Sequence, residues 1–258
     1  MKKIIAMLLA MAMVLSFAAC ASTEAQPTEA PATEAPATEA PATEAPATEA
    51  PTEDAPVVMT HEEFLAAELE SIVCVETYVQ DHQSWWDNKI TAYCQSPDGA
   101  YFVYEMACSE EDAAKLVPGT KIRITGERAE WAGEVEIMYG TFEFVEGGDT
   151  WIAEAVDVTE LLGTDELISH QNELVSFKGL TIEAIEYKNG EPGDDIYVTV
   201  GYNGASYSFC VEIYLTDAES DVYTTVGTLA VGDVVNVEGF LYWYEGVNTH
   251  ITAIEKAA

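Results

Sequence analysis

Trp85 and Trp86 stand side by side in a polar stretch, His82 to Asn88. Adjacent indoles in such a loop can stack on a sugar ring, a base or a partner side chain. Two further segments concentrate aromatics, Glu130-Trp131 and Leu241-Tyr242-Trp243-Tyr244, so Trp85, Trp86, Trp131, Tyr242, Trp243 and Tyr244 form the candidate ligand-binding set. A packing role competes for the same residues, because large aromatics dominate small cores and interfaces. In that reading one tryptophan plugs the open end of a barrel and the other packs on a neighbouring domain. Strand alternation requires that Trp243, or else at least one of Tyr242 and Tyr244, points inward as core.

Covalent and metal chemistry find little support. Beyond Cys20 the cysteines are Cys74, Cys94, Cys108 and Cys210, with no C-x-x-C spacing for zinc or redox work. A Cys74–Cys94 disulfide between neighbouring strands stays open, but the strand context favours free thiols acting as small apolar fillers. His61, His82, His170 and His250 are isolated, and the sequence holds no H-x-x-x-H, G-x-S-x-G, GxGxxG or P-loop pattern. The acids Glu110-Glu111-Asp112 suit a helix N-terminus, and Glu191 with Asp194-Asp195 lacks the ligand spacing of a calcium loop. The expectation is a non-enzymatic protein with no metal and no cofactor.

The charge balance narrows the partners. Ten Lys and Arg face 46 Asp and Glu, a formal net charge of −36, and Val57–Ala258 alone keeps eight basic against 38 acidic residues. Neutralising phosphates takes clustered Lys and Arg, so nucleic acid and anionic membrane surfaces are disfavoured as partners.

The first residues read as an address. Lys2 and Lys3 precede the apolar run Ile4 to Phe17 and then Ala18-Ala19-Cys20, the layout of a bacterial lipoprotein signal in which Cys20 is acylated. Residues 1–20 form the signal peptide, and acylated Cys20 would anchor the chain in the bilayer. From Ala21 to Pro56 the pentapeptide Ala-Thr-Glu-Ala-Pro recurs with nothing large to bury. That linker should stay extended, reaching on the order of 110 Å at ~3.1 Å per residue, as a stalk.

The remainder alternates Val, Ile, Thr and Tyr in short runs broken by Gly, Asn-Gly and Asp-Gly, a mainly-β pattern. Thr60-His61-Glu62-Glu63 predicts a capped helix toward Leu69, and Ser109 caps another over Ala113 to Leu116. Gly119, Gly126 and Gly133 fall on Gly232, Gly239 and Gly246 at one offset of 113, with Ile122 and Ile124 on Val235 and Val237 and Trp131 on Tyr244. Two tandem copies follow, 57–158 and 159–258. In the first, strands at Ser71–Val79, Lys89–Cys94, Ala100–Met106, Lys121–Thr125 and Val135–Phe144, with the helix between the third and fourth, give the OB-fold (Greek-key barrel) arrangement. Its binding face is flanked by the loops joining strands 1 to 2 and 4 to 5. The inward phase slips across Lys178-Gly179, which predicts a bulge in the first strand of the second copy.

Gln83-Ser84-Trp85-Trp86-Asp87, Asp98-Gly99-Ala100-Tyr101-Phe102, the segment from Gly119 to Gly126 and Glu130-Trp131-Ala132-Gly133-Glu134-Val135-Glu136-Ile137 resemble the acidic tandem OB-fold lipoproteins of Gram-positive gut anaerobes. The resemblance implies export, lipid anchoring on the extracellular face of the cell membrane and paired OB domains, and it implies no activity or established ligand. The expected function is binding or scaffolding, with a glycan or an extracellular protein as partner. The alternatives are an oligonucleotide-binding OB protein, whose affinity would fall with salt, or an accessory domain of a carbohydrate-active enzyme system.

Overall fold

A computed structural model describes residues 56–257; the signal sequence, Cys20 and nearly all of the stalk lie outside the described residues. Helix α1 (His61–Ala66) starts where the sequence places it, with Thr60 accepting from the Glu63 amide and Glu63 reaching back to the Thr60 amide. It is shorter than the apolar run suggested and buries Phe64 against the first core.

Five strands follow: β1 (Ile72–His82), β2 (Lys89–Ser96), β3 (Gly99–Ala107), β4 (Lys121–Trp131) and β5 (Glu134–Phe144). They close into a barrel in the order β1-β2-β3-β5-β4, with β3 and β5 parallel and helix α2 (Glu110–Ala113) between β3 and β4. This is the OB-fold order. Strand β1 closes the barrel by pairing twice, Ile72 to Tyr78 against β4 and Tyr78 to His82 against β2, with a register shift after Val79. Val73, Val75, Ile90, Val103, Ile122, Ile124 and Ile137 fill the interior.

After β6 (Val156–Asp157), a second sheet is built from β7 (Leu174–Tyr187), β8 (Ile196–Tyr202), β9 (Ala205–Val211), β10 (Val234–Phe240) and β11 (His250–Lys256), with helices α3 (Ile213–Thr216) and α4 (Asp221–Val226) between β9 and β10. Its order is β10-β11-β9-β8-β7-β6; β10 also pairs with β7, and β9 and β11 run parallel. The bulge expected at Lys178-Gly179 is present: Phe177 opposes Val237 and Leu180 opposes Val235, leaving two residues against Asn236. Among the described residues the four cysteines, Cys74, Cys94, Cys108 and Cys210, are free and buried, as the filler reading anticipates.

Candidate functional site

The loop joining β1 to β2 is shaped by one tight turn. Asp87 and Asn88 both take positive φ, 45° and 61°, and the amides of Trp86 and Lys89 each donate to the other's carbonyl. Such a two-residue hairpin turn favours Asp and Asn, which tolerate left-handed backbone. The turn sets the two indoles apart. Trp85 faces inward, donates through Nε1 to the Cys108 carbonyl at 2.9 Å and packs on the first core. Trp86 is 76% exposed.

Trp86 lies on a groove of about 390 Å3 lined also by the half-buried Trp85, with Ser84, Lys89, Thr91, Tyr104 and Tyr214. A bulge in β3 aims Tyr104 and Glu105 there: the β2–β3 register shifts between Ile90 and Ala92, Glu105 has φ 47°, and its amide donates to Thr91 Oγ1. Lys89 Nζ is 2.7 Å from Glu105 Oε2, so the groove's cation already has a carboxylate partner. Tyr214 comes from α3, in the second half of the chain. Its carbonyl accepts from the Ser84 amide at 2.6 Å and from Ser84 Oγ at 3.2 Å.

The remaining candidates sit at the junction between the two sheets. The outer face of β2 and β3 presents Tyr93 and Phe102, both buried with Phe240, Leu174, Leu215 and Tyr242 in a third apolar cluster. Phe240 stacks on Tyr93 at 4.6 Å and Tyr242 on His250 at 4.3 Å, while Tyr242 meets Phe102 edge-on at 5.1 Å. Trp243 packs on the second core, and its amide donates to Glu134 Oε2 at 2.8 Å. The Glu245 amide donates to the Ala132 carbonyl, joining the two loops between fourth and fifth strands. Tyr242 and Trp243 therefore hold the junction rather than face a ligand, and only Trp131 and Tyr244 remain exposed there.

The junction also holds buried titratable groups. Glu134 and Glu136 are buried, and burial pushes their carboxyls up to about 8 and about 7. Glu134 Oε2 accepts from Trp243 and Gln171, while Oε1 is buried without a partner. Burial raises Glu212, at the start of α3, to about 7 and lowers His250 to about 4; the Tyr93 hydroxyl forms a hydrogen bond of 2.6 Å with His250 Nδ1. Among the described residues no group of three or more His, Cys, Asp or Glu is placed to hold a metal ion.

No family model and no curated protein matches the chain. Solved structures similar to it include a murine DNA-binding protein bound with double-stranded DNA, at 11% identity, 72% of this chain, 96% of that one and a TM-score of 0.36. Another is the Ifi202 HINa domain in complex with a DNA duplex, at 14% identity, 73% and 98% coverage and a TM-score of 0.31. A third is a replication protein A heterotrimer bound to single-stranded DNA, at 12% identity and a TM-score of 0.29, where this chain covers 72% of itself and 49% of that one. Against the expectation that nucleic acid is disfavoured, these similar structures hold DNA. Net charge sums the whole surface, whereas the open groove presents four aromatic rings, the Ser84 and Thr91 hydroxyls and a neutral Lys89–Glu105 pair.

Proposed function

We propose that this is a non-enzymatic binding protein, built from two tandem OB barrels over 57–158 and 159–258, that stacks the bases of a single-stranded oligonucleotide on the groove around Trp86. The observation that carries this is an indole 76% exposed in one groove with Tyr104 and Tyr214, at the loop between the first two strands where OB folds take oligonucleotides. Aromatic platforms of this kind bind single strands through the π-faces of the bases with little sequence preference. Because the groove's one cation, Lys89, is already paired, few counterions are released, and the acidic surface repels phosphate. Affinity for a short oligothymidylate should therefore be flat or rise as salt screens that repulsion, between about 50 and 200 mM. A steep fall with salt, as from a basic groove, would contradict this mode.

A neutral oligosaccharide is the second reading, favoured by the acidic balance of the folded part, which does not oppose an uncharged ligand. Tryptophan fluorescence titrations with oligothymidylate and with neutral cell-wall oligosaccharides separate the two. In either case Trp86→Ala should weaken binding about five- to a hundredfold, the worth of one stacked ring, and leave the melting temperature unchanged. Trp85→Ala should lower the melting temperature instead, because its ring packs on the core.

The same proposal places the protein outside the cell, tethered through acylated Cys20 and the repeat stalk in the manner the resemblance implies. Palmitate labelling of cells should mark the native chain and not Cys20→Ala; label persisting in the variant would remove the anchor.

A further inference from the structure

Tyr214 belongs to the second half of the chain, yet its ring is 60% exposed on a groove whose other lining comes from the first barrel. Its helix is fixed from three sides. Glu212 caps it by accepting from the Leu215 amide at 2.8 Å, and Asp195 Oδ1 accepts from the Ile213 amide at 3.0 Å. Leu215 packs into the junction with Tyr93, Phe102 and Phe240, and Ser84 binds the Tyr214 carbonyl from the tryptophan loop. These contacts anchor the backbone beneath an exposed ring on the same groove as a second exposed ring, and folding alone gives no reason for that, since a solvated tyrosine gains nothing from the position.

We infer that Tyr214 is a ligand-binding residue contributed by the second half, which with Trp86 takes a nucleobase at a site complete only when the two halves are docked. The inference rests on the oligonucleotide reading above. Contact from two rings on different elements suits a planar base, which offers a π-face on both sides, better than a puckered sugar. The tight turn at Asp87-Asn88 and the bulge at Glu105 fix the backbone that carries Trp86 and Tyr104, so the three residues line one groove before a strand arrives. Such preorganisation lowers the ordering cost of binding.

The test uses the whole mature chain and fluorescence anisotropy of a labelled oligothymidylate, with a neutral oligosaccharide as competitor. Tyr214→Ala should weaken binding about five- to a hundredfold, Tyr214→Phe should stay within about twofold because it keeps the ring, and neither should shift the melting temperature. Wild-type affinity in Tyr214→Ala beside a clear loss in Trp86→Ala would overturn the shared site and leave the stacking function standing. Wild-type affinity in both variants, or no oligonucleotide binding at all, would overturn both. Displacement of the strand by the oligosaccharide with the same Tyr214 dependence would overturn the nucleobase assignment.

Discussion

At about pH 8 the Glu134→Gln variant should melt some 7–14 °C above the native chain, and at about pH 5 the two should melt nearly together. Glu134 has no solvent exposure, and burial raises its carboxyl to about 8 in the folded state, whereas an unfolded glutamate titrates near 4.5. Between those values the folded chain holds a proton that the unfolded chain has lost, so stability falls as pH rises through the interval and levels off above it. Glu136 and Glu212, raised by burial to about 7, act in the same direction. His250 acts oppositely: lowered by burial to about 4, it binds its proton only in the unfolded chain between about 4 and 6.5, so there stability rises with pH. Above about 6.5 the carboxyls act alone, and between pH 5 and 8 Glu134 by itself removes about 3.5 kcal/mol, at 1.36 kcal/mol per unit less the levelling near its own midpoint. Glutamine keeps an acceptor for the Trp243 amide and carries no charge at any pH. A native melting temperature flat from pH 6.5 to 8 would show that Glu134 is not buried in the junction.

Much of this architecture can be read from residues whose roles are local. The capping box at Thr60, the N-cap at Ser109, the strands of the first barrel and the slip at Lys178-Gly179 each depend on a few neighbours in sequence, and each lies within a few residues of its expected place. The tryptophan loop was legible for the same reason. Which indole faces outward was not, because the answer depends on the turn at Asp87-Asn88 and on the Cys108 carbonyl that holds Trp85. Contacts across the junction left less trace. Glu134-Val135-Glu136-Ile137 alternates like a solvated outer face, yet its outer side is covered by the second sheet. Tyr242 and Trp243 look like binding-loop aromatics for the same reason. Tyr214 carries no local signal, since its significance comes from the Ser84 loop, far away in sequence.

The glycines that align the two halves predict matched damage. Gly126 and Gly239 sit where β4 and β10 slip register against β5 and β11. Neither has a positive φ, so close approach and not backbone conformation demands glycine. A Cβ at Gly126 would lie 2.6 Å from Ile137 Cγ2 and 2.7 Å from the Met138 carbonyl oxygen; at Gly239 it would run into the His250 carbonyl and lie 2.9 Å from Thr249 Cγ2. Backbone cannot swing aside as a side chain does, so the paired strands must separate. Each substitution to alanine should cost about 3 kcal/mol or more, lowering the melting temperature by about 6–12 °C. Gly148→Ala is the control: its Cβ meets first the flexible Lys121 side chain at 3.1 Å, and little change is expected. Calorimetry on the three variants decides the matter. If the two halves are copies of one barrel, Gly126→Ala and Gly239→Ala fall together; a loss below about 1 kcal/mol in only one of them would mean that the aligned glycines do different work, and the duplication would lose its structural basis.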